Sequence, residues 1–184
     1  TSKGSTYTYD FDKFNFDGND KIIIATGSAA AFTLNTSYTE DIINATGGGT
    51  APTNPKYVKS FANHMWYAGM SDATSTLKFS GPFTEDDFDT GGGTIKVGDV
   101  ITGMKVFRDT LFVFCEDSIY KITGTSDSDF ALAEVAKDVG TISHHSIQEL
   151  GGDLIFLSKD GLRTIAGTER IGDIELGTVS KQIQ

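Results

Sequence analysis

The chain has 184 residues, of which 38% are apolar and 22% charged, so it is long enough to bury a core and is not a disordered chain. It contains 21 glycines and only 3 prolines, a composition that favours a turn-rich β protein. The formal net charge is −10, and the acidic residues are spread along the chain without a cluster of cations, which argues against a protein that grips nucleic acid through its phosphates.

Cysteine usage and hydropathy narrow the class further. The chain has one cysteine, Cys115, so the fold has no internal disulfide and must depend on packing. No run approaches ~20 apolar residues, and the first residues lack a basic region followed by an apolar one. We therefore expect neither a membrane span nor a signal peptide. Because the sequence begins at Thr1 rather than Met, we treat both ends as open to extension.

Four segments in chain order repeat a turn followed by an apolar strand rich in Val, Ile, Phe and Tyr, the pattern of a β-hairpin. They are FNFDGNDKIIIATG from Phe14, VKSFANHMWYAG from Val58, MKVFRDTLFVFCED from Met104 and IQELGGDLIFLSKDG from Ile147. Taking Asp20, Asn63, Asp109 and Gly152 as the equivalent turn residues gives a period near 44 residues. The pentapeptide TGGGT occurs at residues 46–50 and 90–94, which is the same step. Two features with one spacing indicate an internal repeat.

Each repeat is predicted to be a small meander of short strands. The runs at residues 111–114 and 154–157 are apolar at successive positions, so both faces of these strands should lie between neighbouring layers. Residues 36–44 carry weak helix signals but are too short for more than about one turn.

A repeat of roughly 40 to 50 residues with about four short strands is typical of a β-propeller blade. We therefore predict an all-β fold, a β-propeller-like array of about four blades of ~44 residues, which is either a small closed propeller or part of a larger one. The predicted units cover approximately residues 13–56, 57–99, 100–140 and 141–184 of a single domain over residues 1–184. A β-sandwich or an irregular barrel is the alternative, because its strands also recur every 8 to 12 residues or so.

Thiol and imidazole groups give no catalytic pattern. Cys115 lies in an apolar strand beside Glu116 and Asp117, which should raise the pKa of its thiol, so we expect a packed and inert cysteine. His144 and His145 are adjacent, and His64 is distant in sequence. No further ligand stands at zinc spacing around them, and we expect polar edge or loop residues.

Acidic clusters raise the question of calcium or of glycoside hydrolysis, and they lie near residues 10–20, 85–89 and 127–129. The first places Asp17, Asn19 and Asp20 around a glycine, yet it lacks the full spacing of a calcium loop with its closing Glu. The others are Glu85, Asp86, Asp87 and Asp89, and Asp127 and Asp129. Two carboxylates at a fixed separation could serve a glycosidase, but the sequence does not place them in one cleft. Solvated turns explain all three clusters.

The aromatic and glycine-rich motifs can also be explained by structural roles. HMWYAG around Trp66 and Tyr67 could form a ligand platform, although strand spacing favours a core role. The TGGGT elements lack the Lys and Ser or Thr of a phosphate loop, so we expect loops. We assign no catalytic, cofactor-binding or metal-binding residue, and calcium at Asp17, Asn19 and Asp20 stays open.

The turns also carry a resemblance. The motifs are ITG at 101–103, VFRD at 106–109, SIY at 118–120, SDF at 128–130, GT at 140–141, GGD at 151–153 and LSKDG at 157–161. In this order they resemble the propeller-type structural proteins of short-tailed bacteriophages, the group of tail nozzle, hub and capsid-stabilisation proteins. ANHMWYAGMSDATSTLKFSGPFTEDDFD, which starts at Ala62, is similar to the preceding blade of those proteins, so the resemblance covers residues 57–165.

The resemblance implies a virion protein rather than an enzyme. Such a protein forms a homo-oligomeric ring, expected to be hexameric, in the tail below the portal and its adaptor, and it is assembled in the host cytoplasm. Double-stranded DNA passes through the ring without specific binding, and an acidic lining suits this because it repels phosphates. A carbohydrate-binding propeller module and a propeller glycoside hydrolase are the alternative functions.

Overall fold

The structure, a computed structural model, describes residues 9–16 and 18–166. These residues form antiparallel strands joined by turns, with a short 3-10 turn at His144–Ser146. The strands are β1 Asp10–Phe16, β2 Asn19–Ala25, β3 Phe32–Asn35, β4 Glu40–Ile42, β5 Tyr57–Phe61, β6 His64–Ala68, β7 Thr76–Phe79, β8 Gly93–Lys96, β9 Ile101–Phe107, β10 Thr110–Cys115, β11 Ser118–Thr123, β12 Ala131–Lys137, β13 Gln148–Leu150, β14 Asp153–Ser158 and β15 Gly161–Thr164.

Each sheet is a meander made from one contiguous stretch of chain. The strand orders are β1-β2-β3-β4, β5-β6-β7-β8, β9-β10-β11-β12 and β13-β14-β15, and every pairing is antiparallel. We call these the first to fourth sheets. The predictions of an all-β fold and of a repeated meander are confirmed. No helix among the described residues is long and apolar enough to cross a membrane.

A tight two-residue turn connects the first and second strands of three of the sheets. In the second, third and fourth sheets it is made by residues 62–63, 108–109 and 151–152, which all have positive φ between 48° and 80°. Two consecutive residues with positive φ match the twist of a tight hairpin. In the first sheet β1 ends at Phe16 and β2 begins at Asn19; Gly18 between them has φ 89°, and Asp17 is outside the described residues. The predicted turn residue there, Asp20, was wrong by two positions because it lies within β2.

The two TGGGT elements do not occupy equivalent places. Residues 46–50 follow β4, whereas residues 90–94 lead into β8, so that Gly93 and Thr94 belong to that strand. Their common spacing is therefore not part of the structural repeat, and the second element is only partly a loop. Residues 36–44 do not form a helical turn either: the Asn35 side chain accepts the backbone N–H groups of Ser37 and Thr39, both at 2.9 Å, and β4 follows.

The described chain divides into two compact units. The first contains the first and second sheets together with residues 124–130, and the second contains the third and fourth sheets. The core of the first unit includes Phe16, Ile23, Met65 and Tyr67. The core of the second includes Phe112, Phe114, Leu154 and Phe156. The single domain over residues 1–184 and the four predicted repeat units stay predictions.

Apolar runs behave differently in the third and fourth sheets. Residues 111–114 of β10 are buried at every position, as expected for a strand between two layers. In β14, Leu154 and Phe156 are buried but Ile155 and Leu157 are only half-buried. The expectation that both faces of β14 are covered is therefore wrong for the described residues.

Carboxylates of β1 bind the edge of the second sheet. β5 is the first strand of its sheet, so alternate backbone N–H groups point away from β6. Asp10 accepts the N–H of Val58 at 2.9 Å, and Asp12 accepts the N–H of Ser60 at 2.8 Å. The Lys59 ammonium pairs with Asp10 at 2.8 Å. The two acids, counted at first among a possible calcium cluster, hold two sheets together.

We expect Asp10→Ala to lower the free energy of unfolding by about 3 kcal/mol. The change leaves the buried N–H of Val58 without this acceptor and the largely buried Lys59 ammonium without this counter-ion, and breaking such a pair costs roughly 3–5 kcal/mol. Asp41→Ala on the exposed strand β4 is the control and should change stability by less than about 0.5 kcal/mol. Urea unfolding followed by circular dichroism gives both values. Equal effects of the two variants would contradict the role of Asp10.

In the tight turns, by contrast, one substitution is expected to raise the free energy of unfolding. Ala62 has φ 51°, a conformation that costs a residue with a Cβ roughly 1–2 kcal/mol, so Ala62→Gly should raise the free energy of unfolding by about 0.5–1 kcal/mol. Ala131→Gly, in the exposed strand β12, should lower it by about as much because glycine weakens a strand. The same unfolding measurement compares the two. A loss of stability in Ala62→Gly would refute the strained turn.

Candidate functional site

Cys115 ends β10 and is fully buried. Burial raises the pKa of its thiol to about 12, with smaller contributions from the charges of Asp99 and Glu116 in the same direction. A hydrogen bond from Ser118 acts the other way. A nucleophilic cysteine needs a lowered pKa and access to solvent. The packing of Cys115 in the second unit provides neither.

The histidines occupy structural positions. His64 is buried in the first unit, and its Nδ1 lies 2.6 Å from the carbonyl oxygen of Ser80. His144 and His145 lie in the 3-10 turn rather than on a strand, with ring centroids 5.3 Å apart. Among residues 9–16 and 18–166, no group of three or more His, Cys, Asp or Glu side chains could hold a metal ion.

The calcium hypothesis concerned Asp17, Asn19 and Asp20. Asp17 lies outside the described residues. Asn19 and Asp20 are the first residues of β2, where the Asp20 carboxylate accepts a hydrogen bond from Asn15 at 3.1 Å and pairs with Lys13 at 3.4 Å. The Asp20 carboxylate therefore contacts the side-chain amide of Asn15 and the ammonium group of Lys13.

The acidic loop at residues 85–89 packs against the glycines at residues 47–49. Asp87 pairs with Gly48 in an isolated bridge, and the N–H of Phe88 donates to the carbonyl oxygen of Gly48 at 2.9 Å. A Cβ placed on Gly47 would lie 2.5 Å from the Asp87 Cβ, and one on Gly49 would lie 2.6 Å from the Phe88 carbonyl carbon. The first TGGGT element thus lets two backbones approach closely, which is a packing role for glycine.

Most carboxylates of this loop have internal partners. Asp86 accepts the hydroxyl of Thr46, and Glu85 pairs with Lys21. Asp87 accepts the backbone N–H groups of residues 89–90 at 3.0 and 3.2 Å. Asp86 and Asp87 therefore cap and bridge this loop.

Residues 124–130 form a second capped loop. The Asp129 carboxylate accepts the backbone N–H groups of Thr125 and Ser126 at 2.8 and 2.7 Å, and these bonds lower its pKa. The loop delivers Phe130 into an aromatic cluster of the first unit, 4.9 Å from the Trp66 ring and 5.2 Å from the Phe79 ring. The SDF motif is thus a turn that seats an aromatic side chain.

Trp66 and Tyr67 are fully buried. The Trp66 indole N–H donates to the Phe61 carbonyl oxygen at 3.1 Å, and the Tyr67 hydroxyl donates to the Glu85 carbonyl oxygen at 2.8 Å. Burial raises the pKa of Tyr67 well above its usual range. Both residues are core, as the strand spacing favoured, and they cannot form the ligand platform of a carbohydrate-binding module.

The strongest candidate site is an exposed apolar sheet face that the sequence analysis did not single out. Residues paired across β1 to β4 share this outer face of the first sheet, and six of them are apolar: Phe11, Ile22 and Ile42 are exposed, Ile24 and Leu34 are half-buried, and Phe32 is buried. Phe11 is 65% exposed, Ile42 60% and Ile22 38%. We call these six residues the first open face. Their opposite face packs in the core of the first unit through Phe16, Ile23 and Ala25.

A cavity of about 410 Å³ lies at the end of the first open face. Its lining combines apolar and polar side chains: Lys13, Asp20, Lys21, Ile22, Leu34, Asn35, Thr36 and Tyr38. Tyr38 is 85% exposed in the turn before β4. The cavity is an open, mixed extension of the apolar face.

The fourth sheet has a partly exposed face of mixed character. By their register, its members on one side of β13 to β15 are Gln148, Leu150, Asp153, Ile155, Leu157, Leu162 and Thr164. Leu150 is exposed, Leu162 is partly exposed, and Ile155 and Leu157 are half-buried. We call this side of the sheet the second open face.

A sequence signal for the first open face exists. Residues 22–24 are three consecutive isoleucines, so β2 is apolar on both faces and needs a layer on each side. The prediction of two covered faces was made for β10 and β14 but not for β2. Phe11 was missed because it lies within an acidic cluster that was attributed to a solvated turn.

We expect native Cys115 to resist alkylation. With a pKa of about 12, the thiolate fraction at pH 8 is on the order of one in 10⁴, and burial blocks access to the sulfur. Iodoacetamide labelling at pH 8, followed by mass spectrometry, should modify the denatured chain fully and the native chain negligibly over the same time. Rapid labelling of the native chain would contradict the packed position.

Comparisons with known proteins bear on the fold. No family model matches the chain, and no curated protein matches it. Among solved structures it is similar to BBS1N in complex with ARL6DN, soaked with mercury, at a TM-score of 0.52 and 14% identity, over 84% of this chain and 49% of that one. It is also similar to a yeast protein, KlHsv2 with loop 6CD replaced by a Gly-Ser linker, at a TM-score of 0.45 and 13% identity, over 82% and 45%.

These neighbours are β-propellers. The similarity to BBS1N supports a propeller-type module, and at this identity it concerns the fold alone. The chain spans about half the length of the solved structures it matches.

Proposed function

We propose that this chain is a non-enzymatic structural protein of a short-tailed phage virion, a nozzle or hub subunit of the tail. In this role it forms a homo-oligomeric, hexameric ring below the portal and its adaptor, and the genome passes through the ring. The observation that carries the proposal is the first open face. Large exposed apolar patches are uncommon on monomeric proteins and mark interaction surfaces, so the protein acts through what it binds.

The chemistry of the candidate residues supports a structural role. Cys115 and Trp66 are buried, and Asp86 and Asp87 accept hydrogen bonds within their own loop. Asp10 and Asp12 join two sheets. Each of these side chains makes contacts that stabilise the fold, which supports a structural role.

The net charge of the chain supports a role in genome passage. A net charge of −10 repels phosphates, so DNA can move past the ring without being held. The assignment to the phage group in particular rests on the turn motifs that resemble those proteins. Two of them have structural tasks here: VFRD contains the tight turn at residues 108–109, and SDF seats Phe130.

The experiment is a quantitative analysis of purified particles of a phage that encodes this chain. We expect mass spectrometry to find the chain in the particle at the copy number of a hexameric ring, and cryo-electron microscopy to locate it in the tail below the portal. A chain that is abundant in the host cytosol and absent from particles would overturn the proposal.

A matched variant addresses the hydrolase alternative. Asp87→Asn keeps an oxygen that can accept the N–H groups of residues 89–90, so it preserves the loop while removing a catalytic carboxylate. We expect this variant to leave infectivity unchanged. Particles that assemble normally and lose infectivity would favour hydrolysis over the structural role.

A further inference from the structure

We propose that the cavity at the end of the first open face binds a neutral saccharide, and that a sugar ring stacks there on the side chain of Tyr38. The sequence suggested Trp66 and Tyr67 as a platform for such a ligand, but both are buried. Tyr38, by contrast, lines the cavity and is 85% exposed. The inference goes beyond the proposed virion role and does not depend on it.

Two features of Tyr38 are costly to the folded chain. Its φ is 59°, a left-handed conformation that is strained for a bulky residue with a Cβ. Most of its side chain is exposed to solvent, although burial of an aromatic ring is favourable. Strained backbone positions cluster at ligand-binding sites, where the surrounding structure holds them in place. The strained and exposed position of Tyr38 therefore indicates a role in binding.

The turn that carries Tyr38 is fixed by Asn35, the last residue of β3. The Asn35 Oδ1 accepts the backbone N–H groups of Ser37 and Thr39, both at 2.9 Å. The N–H of Tyr38 donates to the Asn35 carbonyl oxygen at 3.0 Å. The backbone at Tyr38 is thus held in place before a ligand arrives, which reduces the entropy lost on binding.

Two overlapping cavities provide room for a sugar beside this turn. The first has a volume of about 410 Å³, which lies within the range of small-ligand pockets, roughly 300–1,000 Å³. The second, of about 550 Å³, extends to Ser37 and shares four lining residues with the first: Asp20, Lys21, Asn35 and Thr36. Because the shared residues join the two cavities along the turn, the site can extend beyond a single sugar ring.

The charges that line the cavity are compensated within the chain. Lys13 pairs with Asp20 at 3.4 Å, and Lys21 pairs with Glu85. Two ammonium groups are therefore balanced by two carboxylates, and these four groups leave no excess of either sign to attract an ion. A phosphate or carboxylate ligand would have to displace one of these pairs. The compensation favours a ligand without charge.

The other lining groups match the two kinds of surface that a sugar presents. Ile22 and Leu34 are apolar, and together with Tyr38 they can cover the C–H face of a pyranose ring. Thr36 offers a hydroxyl group. The Asn35 Oδ1 is used by the turn, but among residues 9–16 and 18–166 no acceptor engages its Nδ2, which can donate to a sugar hydroxyl.

A glycan array of neutral oligosaccharides built from hexose and N-acetylhexosamine units detects binding, and NMR titration with the oligosaccharide that gives the strongest signal measures it. We expect Tyr38→Ala to weaken binding by at least about tenfold and Tyr38→Phe by less than about threefold, because phenylalanine keeps the ring. Phe83→Ala is the matched control, because Phe83 is also an exposed aromatic residue with φ 59° but does not line the cavity. An array without signal, or equal effects of Tyr38→Ala and Phe83→Ala, would overturn the proposal.

Tyr38→Gly separates binding from packing. Glycine adopts φ 59° without strain, so this variant should unfold at a higher urea concentration than the unmodified chain, while its affinity for the same oligosaccharide falls as in Tyr38→Ala. A residue that served only the fold would lose stability on this change. Undiminished binding by Tyr38→Gly would refute the stacking role.

Asn35→Asp tests the hydrogen-bond donor. Aspartate keeps an oxygen that can accept the N–H groups of Ser37 and Thr39, so the turn is preserved, but its carboxylate cannot donate. We expect the affinity to fall by about tenfold, since a sugar hydroxyl is left without its donor. Full affinity in Asn35→Asp would contradict the arrangement proposed for the site.

Salt dependence tests the neutrality of the ligand. Affinity should change little between about 50 mM and 500 mM sodium chloride, because a neutral sugar forms no ion pair that salt can screen. A steep loss of affinity with salt would overturn the assignment. The virion role fails separately: a chain that binds oligosaccharides but is absent from particles would overturn only that role, and a particle protein that binds none of them would overturn only this site.

Discussion

The burial of sheet faces is the constraint on which the rest of this structure depends. Each meander of three or four short strands cannot bury its own apolar face, so it must stack on another sheet. In the first unit this stacking produces a core around Ile23, Met65 and Tyr67, and in the second a core around Phe114 and Phe156. The same constraint makes the uncovered side of the first sheet, with Phe11 and Ile42, its most informative surface.

Polar groups at the sheet edges are satisfied by side chains rather than by further strands. Asp10 and Asp12 accept the outward N–H groups of β5, and the loop acids Asp87 and Asp129 close turns by accepting backbone N–H groups. Much of the acidic character of the chain is therefore used to complete hydrogen bonding. In the residues that the structure describes, no group of three or more His, Cys, Asp or Glu side chains could hold a metal ion.

The proposed function in assembly rests on surfaces rather than on reactive groups. Buried Cys115 and Trp66 have packing roles, whereas the exposed apolar residues lie on sheet faces, where a partner sheet can cover them. The similarity to a β-propeller at low sequence identity concerns the fold alone, because propeller blades are held by repeated face-to-face packing and tolerate extensive change in sequence.

The sequence by itself determined the all-β class, the repeated meander and the tight turns at Asn63, Asp109 and Gly152, because alternation of apolar residues and turn chemistry are local properties. It also indicated that Cys115 and Trp66 are core residues. Tertiary structure decided that Asp20 belongs to β2, that the TGGGT elements are not equivalent, and that Asp10 and Asp12 bind β5. Only the tertiary structure showed which side of β2 is more exposed. Three consecutive isoleucines indicate that both faces of the strand are apolar, but they do not indicate which face packs against another sheet.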